Sequence, residues 1–282
     1  MSESAQSSQA SPHTEAFDLP LEIAENYERV FVPAFFAQWA PMLCEAAGLS
    51  PGARVLDVAC GTGIVARTAS PLVAPSGQVI GLDANEAMLT VARRVAPELE
   101  FQRGEAAALP FPDRSFDAVL CQMALMFFAD RRAAVTEMSR VLRPGGVLAL
   151  LVPGPLDDQP GFTPFVTVAS RHAGPDAVGL LSSYFVCGDE AALAGLLVDA
   201  GLADVRVEQR HGIYQAPSAE AMVRTEVEST PLIERIDEST YAAIRADAGA
   251  ALQAFTTTDG RIEAPFSCLL AMGRRTHSSS GE

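Results

Sequence analysis

Val55-Leu56-Asp57-Val58-Ala59-Cys60-Gly61-Thr62-Gly63 decides how this chain is read. Val55 to Val58 is a short apolar run, of the kind that forms a strand buried on both faces. Gly61 and Gly63 follow, where backbone can turn sharply and pass close to a ligand. Ile64 to Leu72 then has helical spacing, so the loop brings unpaired N–H groups and the positive end of a helix dipole to one spot. Asp83 ends the next predicted strand, twenty residues after Gly63. A carboxylate there accepts hydrogen bonds from ribose hydroxyls. The combination predicts a nucleoside-containing cofactor.

Working outward, strand and helix patterns alternate. Strands are predicted over Arg54–Ala59, Gln78–Leu82, Leu99–Gln102, Phe116–Gln122 and Val147–Val152, with helices over Ile64–Leu72, Glu86–Val95 and Arg131–Leu142. Pro144-Gly145-Gly146 reads as a turn. Such βαβαβ repetition gives a mostly parallel sheet with helices on both faces. Leu21 to Ala47 is helical in character, with interruptions expected near Pro33 and Pro41. After Pro153 the rhythm breaks: 154–181 holds four Gly and four Pro. Helices are expected again over Asp189–Ala200, Ser218–Val227 and Thr240–Phe255, and strands over Val205–Gln209 and Ala264–Met272. Residues 1–17 and 276–282 read as flexible tails. The implied organisation is a single domain over 18–275. Its parts are a helical cap (18–50), a cofactor core (51–153), an insert (154–186) and the end of the sheet (187–275), the last with a helical insertion at about 217–256.

The residues leave two cofactor classes open. Gly61-x-Gly63-x-x-Ala66 fits a dinucleotide fingerprint, and Asp83 suits NAD. Asp57, at the strand end before the loop, argues the other way. A carboxylate there repels a pyrophosphate and suits a ligand carrying an ammonium and a sulfonium. The residues favour S-adenosylmethionine without deciding the matter.

Four stretches carry a resemblance: VLDVACGTG (55–63), GLDAN (81–85), GEAAALPFPDRSFDAVLCQ (104–122) and VLRPGGVLAL (141–150). Their order and content resemble the class I S-adenosylmethionine-dependent methyltransferases, in the small-molecule branch similar to ubiquinone/menaquinone-biosynthesis enzymes. ENYERVFVP (25–33) and LLVDAGLADVRV (196–207) extend the likeness. It implies a Rossmann-like α/β fold with a seven-stranded, mostly parallel sheet in the order 3-2-1-4-5-7-6, the last strand antiparallel, and a lid of N-terminal and inserted helices. It also implies site residues. Asp57, Ala59, Cys60, Gly61 and Gly63 would hold the methionine part, and Asp83 the ribose. Ala84 and Met88 would border the adenine, Glu105 and Ala106 would meet its edge, and Gln122 would lie near the methionine end. Where relatives have Asp, this chain has Glu105, so that contact is expected to be longer or carried by backbone.

Composition narrows the partners. With 20 Lys+Arg against 35 Asp+Glu the net charge is −15, which repels a phosphate backbone, so nucleic acid is not expected. Five scattered cysteines (Cys44, Cys60, Cys121, Cys187, Cys268) without a CxxC argue against a disulfide framework or a metal site and suit a cytoplasmic protein. Neither a membrane span nor a signal peptide is expected. The acceptor is expected to be a small apolar or aromatic molecule. Its pocket would be drawn from Tyr27, Phe31 and Phe35 of the cap, from Met126 and Phe127, and from Phe162, Phe165, Tyr184 and Phe185 of the insert. His172 and His211 are the candidate general bases; His13 and His277 lie in the tails. Monomer and homodimer both remain open, as do three other functions: an NAD-linked oxidoreductase, a non-methylating reaction such as cyclisation on the same fold, and a non-catalytic scaffold.

Overall fold

A computed structural model describes residues 19–228 and 232–276. The tails expected at 1–17 and 276–282, with His13 and His277, lie outside these residues, apart from Thr276. Seven strands form one sheet in the order β3-β2-β1-β4-β5-β7-β6. They are β1 (Arg54–Val58), β2 (Gln78–Asp83), β3 (Glu100–Arg103), β4 (Phe116–Gln122), β5 (Leu142–Pro153), β6 (Leu202–Ala216) and β7 (Ile262–Arg275). β7 runs antiparallel to both β5 and β6, and the other pairings are parallel. The central strands are mostly apolar because helices cover both faces, with Asp57, Asp83 and Gln122 at their carboxyl ends. In the register Leu56 lies between Ile80 and Val119, and all three are buried.

Before the sheet come α1 (Leu21–Asn26), a π-helical turn (Tyr27–Phe31), the short turn α2 (Val32–Ala34), a 3-10 turn (Phe36–Gln38) and α3 (Ala40–Ala47). α4 (Ile64–Val73), α5 (Glu86–Val95) and α6 (Arg131–Val141) alternate with strands as expected. Asn85 and Asp130 cap the last two, accepting the N–H groups of Met88 and Ala133. α7 (Phe162–Ala173), α8 (Asp176–Leu181), α9 (Glu190–Asp199), α10 (Ala219–Glu228) and α11 (Glu238–Ala251) follow.

Three expectations are corrected. The irregular stretch expected over 154–181 contains the twelve-residue α7. Its breakers sit where a helix tolerates them: Gly161 precedes the helix and Pro164 falls in the first turn, whose N–H groups have no intrahelical partner anyway. The cap breaks at Phe35, which leaves helical geometry at φ −138°, whereas Pro33 and Pro41 occupy first-turn positions. The strand expected over Val205–Gln209 runs for fifteen residues, and its pairing with β7 continues from His211↔Ser267 to Ala216↔Ile262. β5 leaves the sheet at Pro153↔Cys268, so these last pairs form a two-stranded arm beyond the sheet's carboxyl edge.

Two glutamines finish the exposed backbone edges of this arm. Gln159, fully buried, donates to the Ser267 carbonyl at 2.9 Å and accepts the Ser267 N–H at 3.0 Å, continuing the ladder where β5 has departed. Gln38 does the same on the outer edge, donating to the Ile213 carbonyl at 2.8 Å and accepting its N–H at 2.9 Å. The free edge of β6 is thereby capped at Ile213, and the cap is fixed to it there.

The cap approaches the arm so closely that Gly212 has no room for a side chain. A Cβ there would stand 2.5 Å from the Trp39 ring and 2.6 Å from Gln38 Oε1. Gly212→Ala is expected to cost about 1–3 kcal/mol by overpacking. Trp39 is the single tryptophan, so the change should appear as a lower melting temperature together with a red-shifted fluorescence. An unshifted spectrum would show that the cap does not depend on this contact.

Candidate functional site

Asp57 and Asp83 occupy the carboxyl ends of neighbouring strands. Asp57 is 1% exposed, and its Oδ2 accepts the Ala66 N–H at 3.0 Å. Burial pushes its pKa up to about 8; the Ala66 hydrogen bond opposes that rise and the Asp83 charge adds to it. Asp83 is 9% exposed. Its Oδ2 accepts the Gly61 N–H and its Oδ1 the Asn85 N–H, both at 2.8 Å. Burial raises its pKa too; the N–H bonds from Asn85 and Gly61 pull it down, and Glu105 pushes it up. Among the described residues, no arginine, lysine or histidine forms an ion pair with either carboxylate, although both are withdrawn from water.

Asp83 thereby braces the glycine loop. Cys60 N–H also bonds Leu82 O at 3.0 Å, tying the loop to β2. Within the loop Ala59, Gly61 and Gly63 all have positive φ (55°, 54° and 86°). For Ala59 this is a costly conformation, of the kind found at ligand-binding turns. At Gly63 a side chain is doubly excluded, since a Cβ would come within 2.8 Å of the Phe101 ring. Two polar atoms near this strand edge, Thr62 Oγ1 and Gln122 Oε1, are buried with no hydrogen-bond partner. Each unmade bond costs about 1–3 kcal/mol. Gln122 spends its Nε2 on the Phe36 carbonyl at 3.1 Å.

These features fit S-adenosylmethionine. A cation would offset the desolvated carboxylates, and the orphaned oxygens offer it hydrogen bonds. Each Asp83 oxygen has accepted one N–H and keeps a lone pair for a ribose hydroxyl. A pyrophosphate would add negative charge beside Asp57.

The other expected residues divide. Ala84 and Met88 are half-buried after β2, Ala106 is half-buried and Glu105 is exposed. Tyr27 lies over Gly61, its ring 3.8 Å from the position a Cβ would take. It packs on Phe31 and Phe36, with centroids 6.3 and 4.9 Å away. Phe36 leads to Phe35 (5.1 Å), and Phe35 meets Tyr214 (5.7 Å) and Phe266 (4.9 Å) on the arm. Phe162 and Phe185 join this cluster. Met126 is buried, Phe127 is 47% exposed and rests on Tyr184 (5.6 Å), and Phe165 is fully buried in the core. A surface cavity of about 610 Å³ adjoins the cluster at Phe185 and is lined also by Leu156, Val186 and Asp189.

Neither histidine joins the loop. His172 Nε2 lies 2.8 Å from Asp247 Oδ2 on α11. His211 is exposed on β6, which is separated from β1 by β4, β5 and β7. Sequence reading passed over Tyr214, Phe266 and Glu226. The alternation of buried Tyr214 and Ala216 with exposed neighbours was the available signal for the first. Among the described residues no cluster of metal-ligating side chains occurs, and no single helix is long and apolar enough to cross a membrane.

The raised Asp57 pKa has a consequence for stability. In the unfolded chain this carboxyl ionises near pH 4; in the fold it stays protonated until about pH 8. The stability it contributes is present below pH 4 and is lost as pH rises through about 8. Between pH 6 and 9 the melting temperature of the ligand-free wild type should therefore fall further than that of Asp57→Asn. Parallel curves would mean that Asp57 is ionised throughout.

Comparison with known proteins agrees with this geometry. Residues 56–150 match a methyltransferase domain family. The chain is 36% identical over 190 residues to demethylmenaquinone methyltransferase from Renibacterium salmoninarum, covering 62% of this chain and 77% of that protein. It is 43% identical over 119 residues to the ubiquinone/menaquinone biosynthesis C-methyltransferase UbiE of Hahella chejuensis, covering 40% of this chain and 48% of the relative, about half its length. Among solved structures, Haemonchus contortus phosphoethanolamine N-methyltransferase 2, in complex with S-adenosyl-L-methionine, superposes with a TM-score of 0.60 at 18% identity, over 95% of this chain and 61% of that one. That likeness speaks for the fold. The family match and the first relative leave no place for the dinucleotide reading: the chain belongs to the class I S-adenosylmethionine-dependent methyltransferases and, within them, resembles the enzymes of ubiquinone and menaquinone biosynthesis.

Proposed function

We propose that this methyltransferase acts on oxygen, nitrogen or carbon of a small, flat, largely apolar metabolite, with a hydroxylated aromatic ring of the quinol type as the leading acceptor class. The observation that carries the reading is the pair of desolvated carboxylates, Asp57 and Asp83, at adjacent strand ends with no cationic side chain among the described residues paired to them. S-adenosylmethionine supplies a methyl group already activated by the positive charge on sulfur. The chain's own task is therefore to bind, align and keep water away.

In this reading Asp57 and the Ala59–Gly63 loop receive the amino-acid end, with Thr62 Oγ1 and Gln122 Oε1 as added hydrogen-bond partners. Asp83 takes the ribose hydroxyls. Ala84 and Met88 flank the adenine, and Glu105 and Ala106 line its edge. Tyr27, Phe31 and Phe36 close the cap over the loop and exclude water. Phe35, Phe162 and Tyr184 offer flat apolar surface to the acceptor. His172 and His211 are not assigned a proton-transfer role, since one is engaged by Asp247 and the other is exposed on a distant strand. The names of the relatives support a quinol-like acceptor. The free, buried state of all five cysteines suits a reducing cytoplasm.

Calorimetry on dialysed protein tests the cofactor site. S-adenosylmethionine and S-adenosylhomocysteine should bind in the micromolar range and NAD should not. Asp83→Ala should weaken both by about 1–3 kcal/mol through lost charge-assisted hydrogen bonds. Incubation of wild type with S-adenosylmethionine and a reduced naphthoquinone should give a product heavier by one methylene. Binding of NAD in place of S-adenosylhomocysteine, or a product of unchanged mass, would overturn the reading.

A further inference from the structure

Beyond the cofactor loop, one polar pair is set among the aromatic rings at the sheet's carboxyl edge. Tyr214, buried on the β6 arm, donates its hydroxyl to Glu226 Oε1 on α10 at 3.0 Å. Phe35 and Phe162 meet the Tyr214 ring edge-on, with centroids 5.7 and 4.9 Å away. Tyr184 is the next titratable group facing it. The other carboxylates on α10 are engaged elsewhere, Glu220 by Arg245 and Glu228 by Tyr241. Burial drives the Tyr214 hydroxyl upward and holds Glu226 at about 7, its bond to Tyr214 opposing the latter rise.

Structural need does not explain the pair. A phenylalanine and a leucine in the same volume would avoid desolvating a carboxylate, and such replacements are often neutral or stabilising. The pair also sits where parallel α/β sheets take their ligands, outside the carboxyl ends of the strands. A chain of ring contacts connects it to the glycine loop, from Tyr214 through Phe35 and Phe36 to Tyr27 over Gly61. On the other side Phe162 leads to Phe185, which lines the 610 Å³ cavity.

The hydrogen bond fixes what the pair can recognise. Tyr214 donates its hydroxyl hydrogen to Glu226 in that bond, which leaves the phenol oxygen with lone pairs only. Polarisation by the carboxylate strengthens that oxygen as an acceptor. The ligand group it suits is a proton donor on a flat ring.

We propose that Tyr214, held by Glu226, is the specificity-determining contact of the acceptor site and selects an aromatic acceptor by its hydroxyl group. Tyr214 touches the acceptor, and Glu226 is a positioning residue that holds the Tyr214 O–H bond toward itself and leaves the phenol oxygen to the acceptor. This rests on the small-molecule methyltransferase reading above.

The test compares two probes of nearly equal shape, 2-naphthol and 2-methylnaphthalene, binding to the full chain saturated with S-adenosylhomocysteine. Wild type should prefer the naphthol by about tenfold or more. Tyr214→Phe should bring the two affinities to within about twofold, chiefly by weakening the naphthol. Glu226→Gln keeps the size and an accepting oxygen but removes the charge, and should reduce the preference several-fold. A purely structural role would weaken both probes alike and leave the ratio unchanged, which would overturn the proposal, as would a wild type without preference. Retained S-adenosylhomocysteine binding in the variants separates that failure from failure of the methyltransferase reading, which would show instead as no S-adenosylhomocysteine binding by wild type.

Discussion

The site depends on keeping two carboxylates out of water beside each other. Asp57 and Asp83 share a strand edge, and burial pushes the pKa of both upward. Ionising both in isolation is unfavourable, because each charge would lose hydration and feel the other, which is why burial raises their pKa values. The fold tolerates it through backbone dipoles. Ala66 donates to Asp57, while Gly61 and Asn85 donate to Asp83. The Gly61 and Ala66 N–H groups among these fix the loop between β1 and α4. The residue that makes the site electrostatically poor is therefore also the one that gives the loop its shape, and a cation completes what the backbone only partly offsets.

The position of the cap follows from different forces, and their magnitudes rank them. Glu28–Arg67 and Glu25–Arg94 link the cap to α4 and α5 at 2.9 and 2.6 Å. The second pair is about half exposed and contributes within about 1 kcal/mol, less at high salt. Burying Trp39 completely and packing Phe35 against the arm outweigh it, since an aromatic side chain removed from a core costs about 3–5 kcal/mol. The Gln38 clip adds direction to that apolar contact. Apolar burial therefore sets where the cap lies, and the ion pairs trim its orientation.

How much of this could be read from residues alone varied with the kind of pattern. β1 to β5 and the helices between them were legible because each is a buried strand or a two-faced helix of ordinary length, with glycine, asparagine or aspartate at its ends. α7 was obscured by Gly161 and Pro164, residues that break a helix interior but belong at its start. β6 was cut short at Gln209 because its remaining residues, Arg210-His211-Gly212-Ile213-Tyr214, carry the mixed polarity of an edge strand, half of it in solvent. The shape of the glycine loop was legible because glycine spacing and the two aspartates are local in sequence. The aromatic cluster on the arm was not. Tyr214, Glu226, Phe266 and Phe35 are far apart along the chain, and only the arm and the cap bring them together.

That difference has a mechanical consequence. The glycine loop is built on the middle of the sheet, where Asp57 is paired on both sides and the surrounding side chains are fully buried. The aromatic cluster is built on an arm of two strands that projects beyond β5, steadied by one buried glutamine, Gln159, and one from the cap, Gln38. A two-stranded ribbon is marginally stable alone, so the arm takes its rigidity from the cap. The cap in turn lies over Gly61 through Tyr27 and reaches Gln122 through the Phe36 carbonyl. The segment from Tyr27 to Trp39 is thus in contact with the cofactor loop, the end of β4 and the arm at once. Movement of that one segment would expose the glycine loop and loosen the arm together, which couples the two regions without any further connecting element.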